Sequence, residues 1–472
     1  MSKPEQSADW TRRRAVKGAL GAVALAAAPA STQVRKRPPN ILFILADDLG
    51  YADLSCYGRR EYKTEVLDRL AREGIRFTHA YANSAVCTAT RVALATGRYQ
   101  YRLPIGLQEP LGQQDVGLPP ETPTVASLLR AQGYATSLIG KWHMGSLPKY
   151  DPLKSGYDEF WGLRGGGVDY FRHGFNGNLD LWDGPTKVEK TGYLTDLLAD
   201  RTIAALEKRQ RDHRPFFISL HFTAPHWPWE EPGARGQAES DRIAASKNPT
   251  GYFDHDGGTM DAYAGMVRSM DANIGRILAR LSALGMDDNT IVVFTSDNGG
   301  ERFSDTWPFT GKKTELLEGG LRIPAIIRWP GVTRAGAMSD AQIMSMDWLP
   351  TFVAAAGGAP APQAPSDGID LRAAIGGSAL PERTLFWRFK NMDQKAARRG
   401  RMKYLSIGGN EFLFDVVADP LERANLMERE PATFANLRRD FEAWNKSMLS
   451  DPKAPSYGFP ARDVADHFGS DS

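Results

Sequence analysis

The sequence predicts an α/β protein, and three observations carry that reading. Short apolar runs rich in β-branched and aromatic residues alternate with amphipathic segments of helical period from Pro38 onward. Several of the runs are apolar throughout, as strands covered on both faces are. Four of them end in polar, chemically capable side chains, which places reactive groups at the carboxyl edge of a sheet.

Taken in order, Ile41 to Ala46 is a continuous apolar strand that ends in Asp47-Asp48. Thr64 to Arg72 and Thr122 to Ala131 have helical periodicity, the second with Gly133 after its end. A helix is expected to start at Cys87, in the run Ala85 to Gly97. Tyr134 to Gly140 is the next strand and ends in Lys141-Trp142-His143. Thr195 to Arg209 is helical. Pro215 to Phe222 is a strand followed by Pro225-His226. Residues 230–258, rich in Gly, Asp, Ser and Ala, read as a surface loop. The steps of three and four joining Tyr263, Val267, Met270, Ile274, Ile277 and Leu281 predict a long helix. Thr290 to Thr295 is a β-branched strand ending in Asp297-Asn298-Gly299. Ile323 to Trp329 is another strand. Ala354 to Pro365 is rich in Ala, Pro and Gly and marks a boundary. Beyond it, short strands are expected at Thr384–Phe389, Met402–Ile407 and Glu411–Asp415, and a helix over Pro431 to Met448. The implied organisation is an N-terminal segment 1–30, a linker 31–38, a main domain 39–365 and a C-terminal subdomain 366–472.

Composition excludes several classes. The chain has 42% hydrophobic and 24% charged residues, ordinary for a globular protein. Its formal charge is +2, but residues 1–30 hold five Lys/Arg and two Asp/Glu, so the remainder carries 53 against 54. No basic surplus is left for a nucleic-acid partner. The two cysteines, Cys56 and Cys87, make no disulfide framework, and Cys56 reads as a small packed side chain. In the N-terminal segment Thr11-Arg12-Arg13-Arg14 precedes the weakly apolar run Gly18 to Ala30. This order resembles a twin-arginine export signal, with a small-residue cleavage site at 28–30 and an apolar run too short for a transmembrane anchor. Export machinery of that kind and a bacterial periplasmic or secreted location are the corresponding expectations.

The strand ends share complementary chemistry. Asp47, Asp48, Asp297 and Asn298 are hard oxygen donors, suited to Ca²⁺ or Mg²⁺ rather than zinc. Each pair also has a simpler reading as a helix cap. Lys141, His143, His226, Arg91 and one of Lys312 and Lys313 add positive charge and proton donors. A single histidine of this kind is as readily structural. Trp161, Tyr170, Phe171, Trp182, Trp227 and Trp229 either line a ring-binding mouth or pack beneath long loops.

The pentapeptide Cys87-Thr88-Ala89-Thr90-Arg91 resembles the sulfatase signature Cys-x-Pro/Ala-Ser/Thr-Arg. Asp47-Asp48, Gly140-Lys141-Trp142-His143, Pro225-His226, Asp297-Asn298-Gly299 and the segment Lys313 to Glu318-Gly319-Gly320 stand in the order and spacing of that family. Lys313 lies five residues before Glu318, the family's spacing, and is chosen over Lys312. The resemblance implies an alkaline-phosphatase-like fold, a large mixed sheet sandwiched by helices with a smaller C-terminal antiparallel-sheet subdomain. It implies hydrolysis of an aryl or carbohydrate sulfate ester, with Cys87 oxidised to formylglycine by a maturation enzyme. The cation ligands would be Asp47, Asp48, residue 87, Asp297 and Asn298. Arg91 would steady residue 87, Lys141, His226 and Lys313 would bind sulfate, His226 would protonate the leaving oxygen, and His143 would accept a proton from residue 87. A phosphatase or phosphonate monoester hydrolase of the same superfamily would use the same metal and nucleophile positions; the other alternative is an unmodified, non-catalytic binder of sulfated glycans.

Overall fold

In a computed structural model, which describes residues 37–110, 114–175, 177–246 and 257–451, a ten-stranded sheet forms the centre. Its order is Ala337–Ser339, Ile75–Phe77, Ala325–Arg328, Thr290–Ser296, Asn40–Ala46, Phe216–His221, Ala135–Lys141, Glu159–Leu163, Trp182–Asp183 and Thr186–Lys187. The four strands with reactive ends are mutually parallel neighbours: Thr290–Ser296, Asn40–Ala46, Phe216–His221 and Ala135–Lys141. Their polar termini therefore share one edge. Ala325–Arg328 runs antiparallel to Thr290–Ser296, so the sheet is mixed.

The apolar strand pattern is explained by two cores. Leu42, Ile44, Ile218, Leu220, Val292 and Phe294 face one, packed against the helices Glu65–Glu73, Leu194–Asp212 and Met260–Ala283. Ile41, Phe43, Leu45, Phe217, Ile291 and Val293 face the other, against Cys87–Thr96, Val125–Ala131 and Trp348–Ala355. Successive strand residues point to opposite faces, so only a run apolar at every position serves both.

A four-stranded antiparallel sheet, Thr384–Phe389, Gln394–Arg399, Met402–Ile407 and Asn410–Asp415, forms the C-terminal part. One face shares a core with Tyr81, Ala85, Ala93, Tyr99 and Tyr101 around the cysteine helix. The other is covered by the helix Pro431–Lys446 through Leu437 and Phe441.

Two sequence readings are corrected and one strand is added. Residues 230–258 are not all loop, because Ala234–Ala245 is a helix. Only Gly236, Ser240 and Ile243 of it are buried, too few apolar positions to print a periodicity, and Ser240 is tied down by donating to Asp169 Oδ2 at 2.7 Å. The helix expected from Thr122 starts at Val125, with Thr124 as its cap in a reciprocal capping box with Ser127. The strand Gln394–Arg399 went unpredicted because its buried apolar positions are only two alanines, Ala396 on one face and Ala397 on the other, between charged residues. The export-signal reading of residues 1–30 lies outside the described residues. Among the described residues no helix is long and apolar enough to cross a membrane.

Candidate active site

Register alone brings the two acidic pairs together. Asn40–Ala46 and Thr290–Ser296 pair with Ala46 opposite Ser296, so Asp47-Asp48 leave the sheet beside Asp297-Asn298. The backbone N–H of Asp48, at φ 61°, donates to Asp297 Oδ1 at 3.2 Å, and Asn298 Nδ2 donates to Asp48 Oδ1 at 2.7 Å. The cysteine helix aims its first residue at this cluster. Cys87 is buried, with Sγ 3.4 Å from Asp47 Oδ1 and 3.8 Å from Asp48 Oδ1. Thr90 fixes the turn before it by accepting from the Ser84 N–H at 2.9 Å and bonding the Ser84 carbonyl at 3.1 Å. Gly97, at φ 66°, closes the helix in the left-handed conformation.

Arg91, one turn after Cys87, has no solvent exposure. Its Nη2 and Nε donate to Asp297 Oδ2 at 2.8 and 3.1 Å, and Nη1 donates to the Lys141 carbonyl at 3.1 Å. Lys141 Nζ reaches Asp47 Oδ2 at 2.5 Å. Lys313 Nζ reaches Asp48 Oδ2 at 2.7 Å and Glu301 Oε1 at 2.8 Å. Lys312, half-buried, engages Glu315 through its backbone N–H, and the structure brings Lys313 rather than Lys312 into the cluster. His226 Nε2 lies 3.5 Å from Asp48 Oδ2, while its Nδ1 sits 2.5 Å from the Trp227 carbonyl. His143 comes from the end of Ala135–Lys141, with Nε2 3.1 Å from Glu109 Oε2.

Charge and burial set the protonation states. Burial, then the Asp47 carboxylate, pushes the Cys87 thiol well up, so the thiol stays protonated. Burial and the neighbouring Asp47 raise Asp297 to about 6. Asp48 goes the other way: burial opposes its charge, but Lys313 and His226 outweigh that and hold it below the usual range. Burial, with Lys313 and Lys141, lowers His226 to about 3 even though Asp48 pulls upward.

The donor set fits a hard divalent cation. One ligand atom each from Asp47, Asp48, Cys87 and Asp297 lie within 4.8 Å of one another. Asn298 Oδ1 is buried and has no hydrogen-bond partner among the described residues. A buried amide oxygen without a donor is costly, and a cation bound by oxygens would satisfy it.

Some residues around the site carried no motif. Gly166 and Gly167 follow the strand Glu159–Leu163: a Cβ on Gly166 would lie 2.4 Å from the His143 ring, and one on Gly167 would lie 3.3 Å from the His226 ring. The only sequence signal for them was the glycine triplet Gly165 to Gly167. His221, buried, has Nδ1 3.0 Å from the Lys141 carbonyl and 3.2 Å from Arg91 Nη1. Among the aromatics, Trp161, Tyr170 and Trp229 belong to the core, and Tyr170 donates its hydroxyl to the His226 carbonyl at 2.9 Å. Trp227 packs against the His226 ring at a tilt of 39°, with centroids 4.6 Å apart. A cavity of about 760 Å³ lies elsewhere, beside Arg334, Gln342 and Arg383, and holds none of the strand-end groups. Cys56 and Cys87 are not joined in a disulfide.

A family model described as Sulfatase matches residues 39–359. The chain belongs to the sulfatase family. N-acetylgalactosamine-6-sulfatase of Canis lupus familiaris is 32% identical over 377 residues, covering 74% of this chain and 68% of that protein. Human arylsulfatase A is 32% identical over 447 residues, covering 86% of this chain and 82% of its own. Among solved structures, that of Ps i-CgsB in complex with k-i-k-neocarrahexaose has a TM-score of 0.79 at 29% identity, over 88% of this chain and 94% of the other. The phosphonate monoester hydrolase of Agrobacterium radiobacter, at 20% identity and a TM-score of 0.61 over 87% of this chain and 96% of the other, shares the fold. This sulfatase is a sulfuric ester hydrolase of α/β architecture with a large mixed sheet and a small C-terminal antiparallel sheet.

Proposed function

We propose that this sulfatase removes sulfate from a sulfated sugar, using formylglycine formed from Cys87 and one Ca²⁺ or Mg²⁺ held by Asp47, Asp48, Asp297 and Asn298 with residue 87 beside them. The convergence of Cys87, three buried carboxylates and the orphaned Asn298 Oδ1 carries this reading. Formylglycine supplies an oxygen nucleophile and a carbonyl that re-forms as sulfate departs, and the cation lowers the pKa of that oxygen and takes up charge.

The chain's own residues do the rest. Arg91, held by Asp297 and the Lys141 carbonyl, steadies residue 87. Lys141 and Lys313 neutralise the sulfuryl oxygens, charge placed where it develops in the transition state. His226 gives its proton to the leaving oxygen. A bound sulfate ester brings negative charge to a histidine that burial otherwise keeps neutral, which favours the protonated form. His143 accepts the proton from residue 87. The sugar assignment is supported by relatives: N-acetylgalactosamine-6-sulfatase at 32% identity, and a structure at 25% identity, TM-score 0.69, solved with its substrate D-glucosamine-2-N,6-O-disulfate. Residues 1–30 would direct twin-arginine export to the periplasm, ahead of a linker 31–38, a catalytic domain 39–365 and a C-terminal subdomain 366–472. Mass spectrometry of the peptide bearing residue 87, with sulfate release from sulfated mono- and oligosaccharides, tests the proposal. An unmodified thiol in fully active enzyme would refute it.

A further inference from the structure

Glu109 belongs to no motif. It follows the short helical turn Pro104–Leu107 and is only 6% exposed. A carboxyl so buried requires partners. One is Thr88, the residue after Cys87, whose hydroxyl donates to Glu109 Oε2 and lies 2.9 Å from the His143 carbonyl. The other is His143, whose Nε2 stands 3.1 Å from the same Oε2. Glu109, Thr88 and His143 thus close a ring around the start of the cysteine helix.

The His143 imidazole is fixed from three sides. Its backbone sits at φ 52°, in the left-handed region. Gly166 leaves the ring the space that any side chain would take. Glu109 meets Nε2. The remaining ring nitrogen, Nδ1, is buried and has no hydrogen-bond partner among the described residues. Burial, with Lys141 and Arg91 nearby, holds His143 well below its ordinary pKa, so the resting ring is neutral and carries a single N–H. Burial raises the Glu109 pKa against the downward pull of the Thr88 hydroxyl, Lys141 and Lys313. In its ionised form Glu109 only accepts, so beside Nε2 it selects the Nε2–H tautomer and leaves the lone pair on Nδ1.

We propose that Glu109 is a positioning residue that sets the tautomer of His143, making Nδ1 the proton acceptor for the group at residue 87. The inference rests on the reading of His143 as the base. When His143 takes the proton, the ring becomes an imidazolium with both nitrogens protonated, and Glu109 stabilises that charge from the Nε2 side. No oxidant or further reactant enters the step. An orienting carboxylate behind a histidine base does the same in other hydrolases.

The test uses mature enzyme and an activated aryl sulfate, comparing E109A, E109Q, H143A and E109A/H143A. E109A is expected to lower kcat about 10- to 100-fold, a share of the 10²–10⁴-fold that a general base supplies, with KM changed less than about twofold. The double variant should be no slower than H143A, because Glu109 acts only through the ring. Wild-type kcat in both E109A and E109Q overturns the proposal, as do losses that multiply in the double variant or a raised KM at unchanged kcat. All three leave the base assignment standing. Wild-type kcat in H143A overturns the base assignment itself. E109Q keeps the volume of the site if E109A folds poorly, and ¹⁵N NMR of the unsubstituted enzyme reads the tautomer without any variant. Nε2–H is expected for His143, and Nδ1–H overturns the proposal.

Discussion

Glu230 gives a sharp thermodynamic test of how the His226 loop is held. It lies four residues after His226 and is fully buried. Its Oε2 accepts from the Tyr170 N–H at 2.7 Å, and its Oε1 has no partner among the described residues. Burial, then the Asp169 carboxylate, raises its pKa from 4.5 to about 10. The folded protein therefore keeps Glu230 protonated, while the unfolded chain releases the proton above 4.5. The stability this group contributes is full below pH 4.5 and falls as pH rises toward 10, at up to about 1.4 kcal/mol per pH unit. Glutamine has the same shape, keeps an acceptor for the Tyr170 N–H and never ionises. Glu230→Gln should match the parent near pH 5 and be more stable by about 2 to 4 kcal/mol at pH 8, three units of that slope with allowance for relaxation. Thermal unfolding followed by tryptophan fluorescence at one scan rate, at pH 5, 6.5 and 8, measures the difference. A gap between the two proteins that stays constant with pH, or a variant less stable at pH 8, would refute the argument.

Other perturbations probe the chemistry. Cys87→Ser, made in a host that does not convert serine, should release at most one equivalent of alcohol and leave a sulfated serine, because serine has one hydroxyl and no carbonyl to re-form. Steady turnover by a confirmed serine variant contradicts the formylglycine reading. Elemental analysis should find one Ca²⁺ or Mg²⁺ per chain, and chelation should lower both activity and Tm, since a ligand bound only to the folded state stabilises it. Stoichiometric zinc would contradict the all-oxygen site. His226→Ala should cost about 10²- to 10⁴-fold on sugar sulfates, whose alkoxide leaves poorly, and about tenfold or less on activated aryl sulfates. Equal losses on both would assign His226 to sulfate binding alone.

The strand ends were legible because their physics is local. An apolar run followed by Asp-Asp or Asp-Asn states both that a strand is buried and that its end is not free to be apolar, and the parallel register then brings Asp47-Asp48 to Asp297-Asn298. Glu109, Gly166 and His221 were not legible. Each acts through a partner distant in sequence: Glu109 through His143, 34 residues on, and His221 through Arg91, 130 residues back. Nothing in a short window distinguishes them from a surface carboxylate, a turn glycine or a core histidine. The aromatic side chains carried two readings at once. Trp161, Tyr170 and Trp229 fall where a substrate mouth was one reading, but they fill the core beneath it, and Tyr170 contributes through its hydroxyl by tethering the His226 carbonyl.

The C-terminal sheet has a place in this site although none of its residues enters the strand-end cluster. Trp387 Nε1 donates to the Ala82 carbonyl at 2.8 Å, just before the turn that leads to Cys87. Gln394 grips the other side of the site: its Oε1 accepts from the Leu316 N–H and its Nε2 donates to the Thr314 carbonyl, both at 2.8 Å. Those two backbone groups flank the turn immediately after Lys313, where Thr314 has a left-handed backbone at φ 74°. Below them, Lys403 is wholly buried between Glu318 and Glu422, at 3.0 and 2.9 Å. Removing one partner of such a buried ionic group leaves an uncompensated charge and costs about 3–5 kcal/mol, so this contact does not open and close freely. The sheet thereby fixes Lys313 and the cysteine turn relative to each other. Under the proposed role of Lys313 at a sulfuryl oxygen, its precision comes from the strands behind it, not from its own flexible side chain.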